Sequence, residues 1–463
     1  MPLSNAQTRD VESVLHPYTN LLKLRETGPL VIERGEGVRV YDDRGKDYIE
    51  ALAGLWCTAL GWGEEALVEA AAGQMRKLAF GHLFAGKSHE PAIALAEKLK
   101  EIAPFPVGKV FFANSGSEAN DTQIKLFWYA ANARGKPAQK TIISRTKAYH
   151  GVTIAAASLT SLPANHKSFD LPLDFVRFAE CPHHYRAAEP GESERDFSSR
   201  LAQNLEVLIE KEGADTIAAM IVEPVQGAGG VILPPDGYFA AISDVLERHG
   251  IPLIDDEVIT GFGRTGNWFG CATYGFQPAS MTLAKAMSSA YLPISAVLIS
   301  PELSEVIEEE SGRIGTFGHG FTYSGHPVAA AVALKTIEIY QERDIVGHVR
   351  NMAPRFLARL KKLAEHPLVG EAAGIGLIGA VELVADKATR ASFPAGKLVG
   401  ATIAGFAEAE GVIVRPMLGD RIAVCPPLVI GEAEIDELFD RLGRGLDRGL
   451  DWVWREGLMA KQR

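Results

Sequence analysis

The chain has 463 residues, 47% of them hydrophobic and 23% charged, with a formal net charge of −11. That length and apolar content are enough for a large buried core spread over roughly two to three domains, and the lack of any basic excess excludes a nucleic-acid backbone or an anionic membrane as the expected partner. Four cysteines, Cys57, Cys181, Cys271 and Cys425, stand far apart with no CxxC pair, which argues against a disulfide framework or a zinc site and for a reducing compartment.

The start, Met1-Pro2-Leu3-Ser4-Asn5, is polar, and no run of about 18 uncharged apolar residues occurs, so a cytoplasmic location is expected. Apolar and polar residues alternate over 37–49 around an Asp-Arg-Gly turn, which predicts a hairpin. Apolar residues at three- and four-residue intervals predict helices over 64–78 and 91–102, the second with Pro91 in its first turn. From about residue 109, short β-rich runs at 110–112, 141–144, 217–222 and 252–255 alternate with helical lengths, the signature of a parallel α/β sheet. The polar stretch 187–200 reads as an exposed excursion. Long amphipathic helices over 328–342 and 345–365, strand-like pieces at 376–383 and 421–424, and a closing helix from about Glu432 predict a second, smaller α+β domain.

Three segments imitate other sites. Residues 261–266 and 374–379 both match GxGxxG, but a dinucleotide site needs a strand before the motif and a helix opening on its third glycine. The first is followed by Asn267-Trp268-Phe269-Gly270-Cys271, which does not read as a helix start, and the second sits inside a strand-like run. Cys181-Pro182-His183-His184 offers metal ligands too closely spaced for usual zinc geometry and reads as a surface loop.

Chemistry gathers elsewhere. Asn114-Ser115-Gly116-Ser117-Glu118 joins a strand to a helix, so the N–H groups of Gly116 and Ser117 and the helix dipole suit a phosphate; an ordinary N-cap turn has the same appearance. Asp255-Asp256-Glu257 stands at the carboxyl end of a buried strand, where ligands of open α/β sheets bind. A protonated pyridine nitrogen would be a partner for such an acid, as would a structural or metal-binding arrangement. Lys285 lies among small and apolar neighbours, Thr282-Leu283-Ala284 and Ala286-Met287; attack on an aldehyde near neutral pH requires such an amine to lose its proton, and a snorkelling structural lysine is the plain alternative.

Taken together, Ser115-Gly116-Ser117-Glu118-Ala119, Tyr149-His150-Gly151, Val222-Glu223-Pro224, Asp256-Glu257-Val258 with the 261–266 glycines, Ala284-Lys285, and the 321–327 segment resemble the class III, or ω-amino acid, aminotransferases in order and spacing. The likeness runs from about His16 to Leu428. It implies an α/β protein of the fold-type I pyridoxal-phosphate group, with residues 1–60 as an N-terminal segment of the small domain, 61–330 as the large cofactor-binding domain with a mostly parallel sheet, and 331–463 as the C-terminal small α+β domain. It further implies that Lys285 carries pyridoxal 5'-phosphate as a Schiff base, Asp256 pairs with the pyridine nitrogen, Gly116 and Ser117 hold the phosphate, and Tyr149 and Val258 cover the two ring faces. Thr322 resembles the residue that reaches the phosphate from the neighbouring subunit, which implies a homodimer, or a tetramer built from it, with shared active sites. Glu223 supports the pocket without an assigned chemical role.

Substrate expectations follow from the same likeness. Arg415 matches the family's mobile arginine, a planar fork for a carboxylate. Members that use 2-oxoglutarate or ornithine neutralise it with a glutamate at the position held here by Ala228, and Ile259 replaces the glutamine many relatives carry. Both departures resemble the amine:pyruvate branch, in which Tyr18, Leu55, Trp56 and Phe84 match positions lining an apolar amine pocket; Trp56 and Phe84 fit core packing as well. The expected reaction passes an amino group from an ω-amino acid or amine to pyruvate. The alternative is a 2-oxoglutarate-dependent aminotransferase of the 4-aminobutyrate, ornithine or diaminopelargonate type.

Overall fold

In the computed structural model, which describes residues 3–459, two short helices that bury no residue (Asn5–Ser13 and Leu21–Thr27) lead into β1 (Ile32–Glu36) and the predicted hairpin, β2 (Arg39–Asp42) and β3 (Asp47–Glu50). Met1 and Pro2 of the polar start, and the last four residues of the 331–463 segment, lie outside the described residues. The helices expected over 64–78 and 91–102 form as Glu65–Lys77 and Glu90–Ile102, the latter with proline in its first turn and His89 as N-cap.

The central sheet comprises β4 (Lys109–Ala113), β5 (Thr141–Arg145), β6 (Val176–Ala179), β7 (Ile217–Val222), β8 (Leu253–Asp256), β9 (Ser280–Leu283) and β10 (Ser295–Ile299), in the spatial order β4-β10-β9-β8-β7-β5-β6. The run from β9 to β6 is parallel, and β10 enters antiparallel between β4 and β9. Helices cover both faces, so β7 and β8 are buried along their whole length. That burial is why β7 reads as the unbroken apolar run Ile-Ala-Ala-Met-Ile-Val. Where β8 ends, its last two positions are Asp255 and Asp256, so carboxylates arrive at the edge of the core with no polar strand to carry them.

Four strands, β11 (Val369–Ile375), β12 (Ile378–Leu383), β14 (Arg415–Met417) and β15 (Arg421–Val424), build a C-terminal antiparallel sheet in the order β11-β12-β15-β14. The short β13 (Val412–Ile413) leaves that sheet and pairs in parallel with β3, placing Val412 opposite Ile49. The second GxGxxG segment is therefore a hairpin rather than one strand. Its turn rests on Gly376, whose φ is +55°, and where a Cβ would stand 2.3 Å from the carbonyl oxygen of Arg264. The first GxGxxG is a run of turns, although a five-residue helix does begin at Gly270, four residues past the third glycine. The polar 187–200 stretch contains the start of a helix, Glu194–Glu212, capped by Ser193 and burying Phe197 and Leu201 on its inner face. Among the described residues no helix is long and apolar enough to cross a membrane.

Glu50 closes β3 in a buried position, its side chain accepting from the Gly54 amide. Burial pushes its carboxyl up to about 8. A folded pKa above the unfolded one means that the proton stabilises the fold below about pH 4.5 and that this contribution is lost as pH rises through about 8. Glu50→Gln is expected to match the parent at pH 5 and to exceed it by about 3–4 kcal/mol at pH 8.5. Denaturant unfolding of the two proteins at several pH values checks this.

Candidate active site

The site forms where the carboxyl end of β8 meets the N-terminus of the Gly116–Ala133 helix. That helix is capped by Ser115, whose Oγ accepts from the Glu118 amide at 3.2 Å, while the Glu118 carboxylate accepts from the Asn114 amide at 2.7 Å. The cap leaves the N–H groups of Gly116 and Ser117 free to donate to an anion at this helix start. Ser117 Oγ accepts from the Val152 amide at 3.0 Å. A Cβ on Gly116 would stand 3.1 Å from Val258 Cγ2, and one on Gly151 2.6 Å from Ser117 Oγ. Gly151, with φ of +135°, has no room for a side chain, whereas one at Gly116 would have to push Val258 aside.

Asp256 is buried, and three N–H groups converge on it: Asn120 Nδ2 and His150 Nδ1, each 2.7 Å from Oδ2, and the Val258 amide, 3.1 Å from Oδ1. Asn120 also donates to the His150 carbonyl and accepts from Thr282 Oγ1 at 2.8 Å. The carboxylate is thus clamped in one orientation by a buried network. Lys285 begins a short 3₁₀ turn after β9 with a left-handed φ of +50°, a strain typical of functional positions. Burial lowers its pKa from the usual lysine value, against the opposing influence of Cys57, Asp256 and Glu223.

Gly116, Ser117, Tyr149, Asp256, Val258 and Lys285, all expected from sequence, line one cavity of about 100 Å³. Asn120, His150 and Glu223 join them there. Glu223 accepts from the amides of Tyr149 (3.0 Å) and Gly227 (2.9 Å), so it ties the aromatic wall to the glycine-rich segment. A second cavity of about 380 Å³ shares Tyr149 with the first and is walled by Tyr18, Ala228 and Arg415. Tyr18 Oη accepts from Asn165 Nδ2 at 2.6 Å. Burial lowers the pKa of Arg415, and no carboxylate pairs with it among the described residues.

Four expected site residues reach neither cavity of their own chain. Trp56, 2% exposed, packs among Leu52, Val231 and Ile259 because the positive φ of Ala53, Gly54 and Trp56 turns its indole into that apolar cluster. Leu55, next to it, points to solvent. Phe84 is 47% exposed and lies against Gly320, and Thr322 is exposed two residues further on. Both belong to one outer face with Phe80 and Tyr323, whose rings stand 5.9 Å apart. The Cys181–His184 region is also not a surface loop: His183 is buried, with Nε2 3.2 Å from both Glu371 and Arg421. A guanidinium occupies the centre of this His183–Glu371–Glu382 cluster, where a cation would otherwise sit.

An anion cradle at a helix N-terminus, an acid at a strand end and a desolvated lysine on one cavity define a fold-type I pyridoxal-phosphate enzyme. The chain belongs to the class-III aminotransferases, whose family model matches residues 23–446. It is 50% identical over 434 residues, 94% of this chain and 83% of the relative, to the chloroplastic gamma aminobutyrate transaminase 3 of Solanum lycopersicum. Among solved structures, the omega transaminase of Pseudomonas jessenii in complex with PMP superposes with a TM-score of 0.95 at 52% identity, covering 97% of this chain and 99% of that one. A transaminase solved with L-alanine gives a TM-score of 0.90 at 52% identity, covering 92% and 100%. Pyridoxal phosphate is the cofactor of this family, and the anion cradle, Asp256 and a Lys285 amine that has no hydrogen-bond or ion-pair partner among the described residues fit it.

Proposed function

We propose that this aminotransferase passes an amino group from an ω-amino acid or amine to pyruvate. The observation that carries the reading is Arg415: a desolvated guanidinium on the wall of the outer cavity, without a carboxylate partner, sharing that wall with the methyl group of Ala228. An unneutralised arginine attracts a one-carboxylate acceptor at all times, and a side chain that ends in a methyl group has no means of switching it off. The likeness to a transaminase solved with L-alanine, the aminated form of pyruvate, supports the same acceptor.

Bound pyridoxal phosphate supplies an electron-withdrawing ring that takes up the charge left when a proton is removed beside the nitrogen. In this reading Gly116 and Ser117 hold its phosphate, Asp256 holds the ring nitrogen protonated, and Tyr149 and Val258 keep the ring plane fixed. Lys285 Nζ accepts the proton from the substrate carbon, a task for which desolvation suits it. The exposed face with Phe80, Phe84 and Tyr323 supports a homodimer in which Thr322 serves the partner's phosphate.

The plant relatives named as gamma-aminobutyrate transaminases support 4-aminobutyrate as one donor. Assays with a donor panel, following alanine from pyruvate and glutamate from 2-oxoglutarate, are expected to favour pyruvate; a clear preference for 2-oxoglutarate overturns the Ala228 argument and restores the 4-aminobutyrate, ornithine or diaminopelargonate type. Arg415→Ala is expected to raise KM for pyruvate about 10–100-fold, the worth of a charge-assisted hydrogen-bond pair. Steady-state kinetics over a pyruvate range reads it.

A further inference from the structure

Ala228 is the single non-glycine residue in the ribbon 227–230, and each neighbouring glycine is pressed against a different wall. A Cβ on Gly227 would stand 2.4 Å from Ile259 Cδ1, one on Gly229 2.1 Å from the Lys147 carbonyl oxygen, and one on Gly230 2.8 Å from Arg421 Cδ. Within the ribbon, the amides of Gly230 and Val231 both donate to the Gly227 carbonyl, at 3.0 and 2.9 Å, and Gln226 and Ile232 close its base by paired backbone bonds. The Gly230 carbonyl accepts from outside the loop, from Arg421 Nε at 2.6 Å.

Arg421 is 2% exposed. Its Nη1 donates to Glu371 at 2.6 Å and to Glu382 at 2.5 Å, with His183 Nε2 at 3.2 Å; Glu382 is held in turn by Arg186. Burial pushes the Glu371 carboxyl up, but hydrogen bonds from His183 and Arg421 and the charge of Arg421 outweigh it and hold it at about 2. The guanidinium is therefore fixed on one side by two carboxylates and offers Nε to the ribbon on the other. On the antiparallel pair β14–β15, Arg421 is opposite Met417 and Ala423 opposite Arg415. Opposed residues share a face, and so do alternate ones, so Arg415, Met417 and Arg421 stand on one side of the sheet. Arg415 and Met417 line the outer cavity together with Ala228.

We propose that Arg421 is a positioning residue for the acceptor's carboxylate: through the Gly230 carbonyl it holds the 227–230 ribbon against β14 and β15 and so sets the gap between Ala228 and Arg415. The inference rests on the reading of Arg415 as the carboxylate site. A ribbon of three glycines has little stiffness of its own, so its distance from β14 is set by what grips it, and Arg421 is the grip that belongs to the same sheet as Arg415. Loosening it lets Ala228 drift and blurs the site for a small carboxylate while the cofactor cradle, built on β8 and the Gly116–Ala133 helix, stays as it is.

Arg421→Lys retains the positive charge between Glu371 and Glu382 but has no Nε donor for Gly230. In the cofactor-loaded enzyme it is expected to raise KM for pyruvate about tenfold, and by the same factor the calorimetric Kd of propionate, an unreactive monocarboxylate, as loss of one buried hydrogen bond and its alignment implies. The single-turnover rate with amine donor alone is expected to change less than about twofold. On an Arg415→Ala background Arg421→Lys is expected to add nothing, since both act on one carboxylate. Unchanged pyruvate KM and propionate Kd, whatever the thermal midpoint does, overturn the proposal, as does a full tenfold effect on the Arg415→Ala background. If Arg415→Ala by itself leaves both constants unchanged, it is the carboxylate reading that fails. Should Arg421→Lys not fold, Gly230→Ala displaces the ribbon from Arg421 Cδ without removing a buried charge and is expected to raise the same two constants; no rise there is equally an overturn.

Discussion

Lys285→Ala is expected to lower kcat for alanine formation by at least about 10⁴-fold, because on the proposed assignment one substitution removes both the nitrogen that would bond the cofactor's aldehyde and the group that would move the substrate proton. Borohydride reduction of the loaded parent enzyme, followed by peptide mapping, is expected to leave the cofactor on the peptide that contains position 285. A label elsewhere would end the assignment. The same variant makes a prediction about stability that runs the other way. Burial depresses the pKa of the Lys285 amine below the unfolded value of 10.5, so the folded state loses stability as pH falls from that unfolded value down to the lowered one, the full loss applying below it, and alanine is free of the cost. Cofactor-free Lys285→Ala is therefore expected to unfold no earlier than the cofactor-free parent at pH 7, which thermal scans measure.

Asp256→Asn is expected to reduce kcat about 10²–10³-fold, the range seen when one preorganised electrostatic partner of the reacting system is removed. Its cause can be separated from a general loss of fold. In the parent, three N–H donors from Asn120, His150 and Val258 meet a group that only accepts. An asparagine turns its own NH₂ toward at least one of them, leaving buried donors face to face at a cost of about 1–3 kcal/mol. The variant should thus lose that much stability in chemical denaturation while its circular dichroism stays the same, and its kcat should fall further than so small a destabilisation accounts for.

Much of the scaffold could be read from the residues because burial on both faces imposes a simple pattern. β7 is six consecutive apolar residues, Pro91 marks the opening of its helix, and a lysine among small residues at 285 stands out. What escaped detection was polar and buried. β9 carries Ser280 and Thr282, whose hydroxyls are consumed by Gln123, Leu298 and Asn120, so it lacks the apolar signature of its neighbours. His183 looked like a loop residue because its partners, Glu371 and Arg421, come from strands some 190 and 240 residues away (separations of 188 and 238). His150 and Asn120 were visible within motifs, but their convergence on Asp256 needs three dimensions. Leu55, Trp56, Phe84 and Thr322 were placed by likeness alone, and a single chain has no second face against which Phe84 or Thr322 can act.

The Gly116–Ala133 helix presents its two free amides at Gly116 and Ser117 and, one turn on, the Asn120 side chain that grips Asp256. On the proposed assignment both ends of the cofactor would be referenced to a single rigid rod of about 5.4 Å pitch. A vitamin B6 analogue whose phosphate arm is lengthened by one methylene cannot meet both contacts at once, and it will settle with its ring nitrogen out of register with the acid, bound but slow.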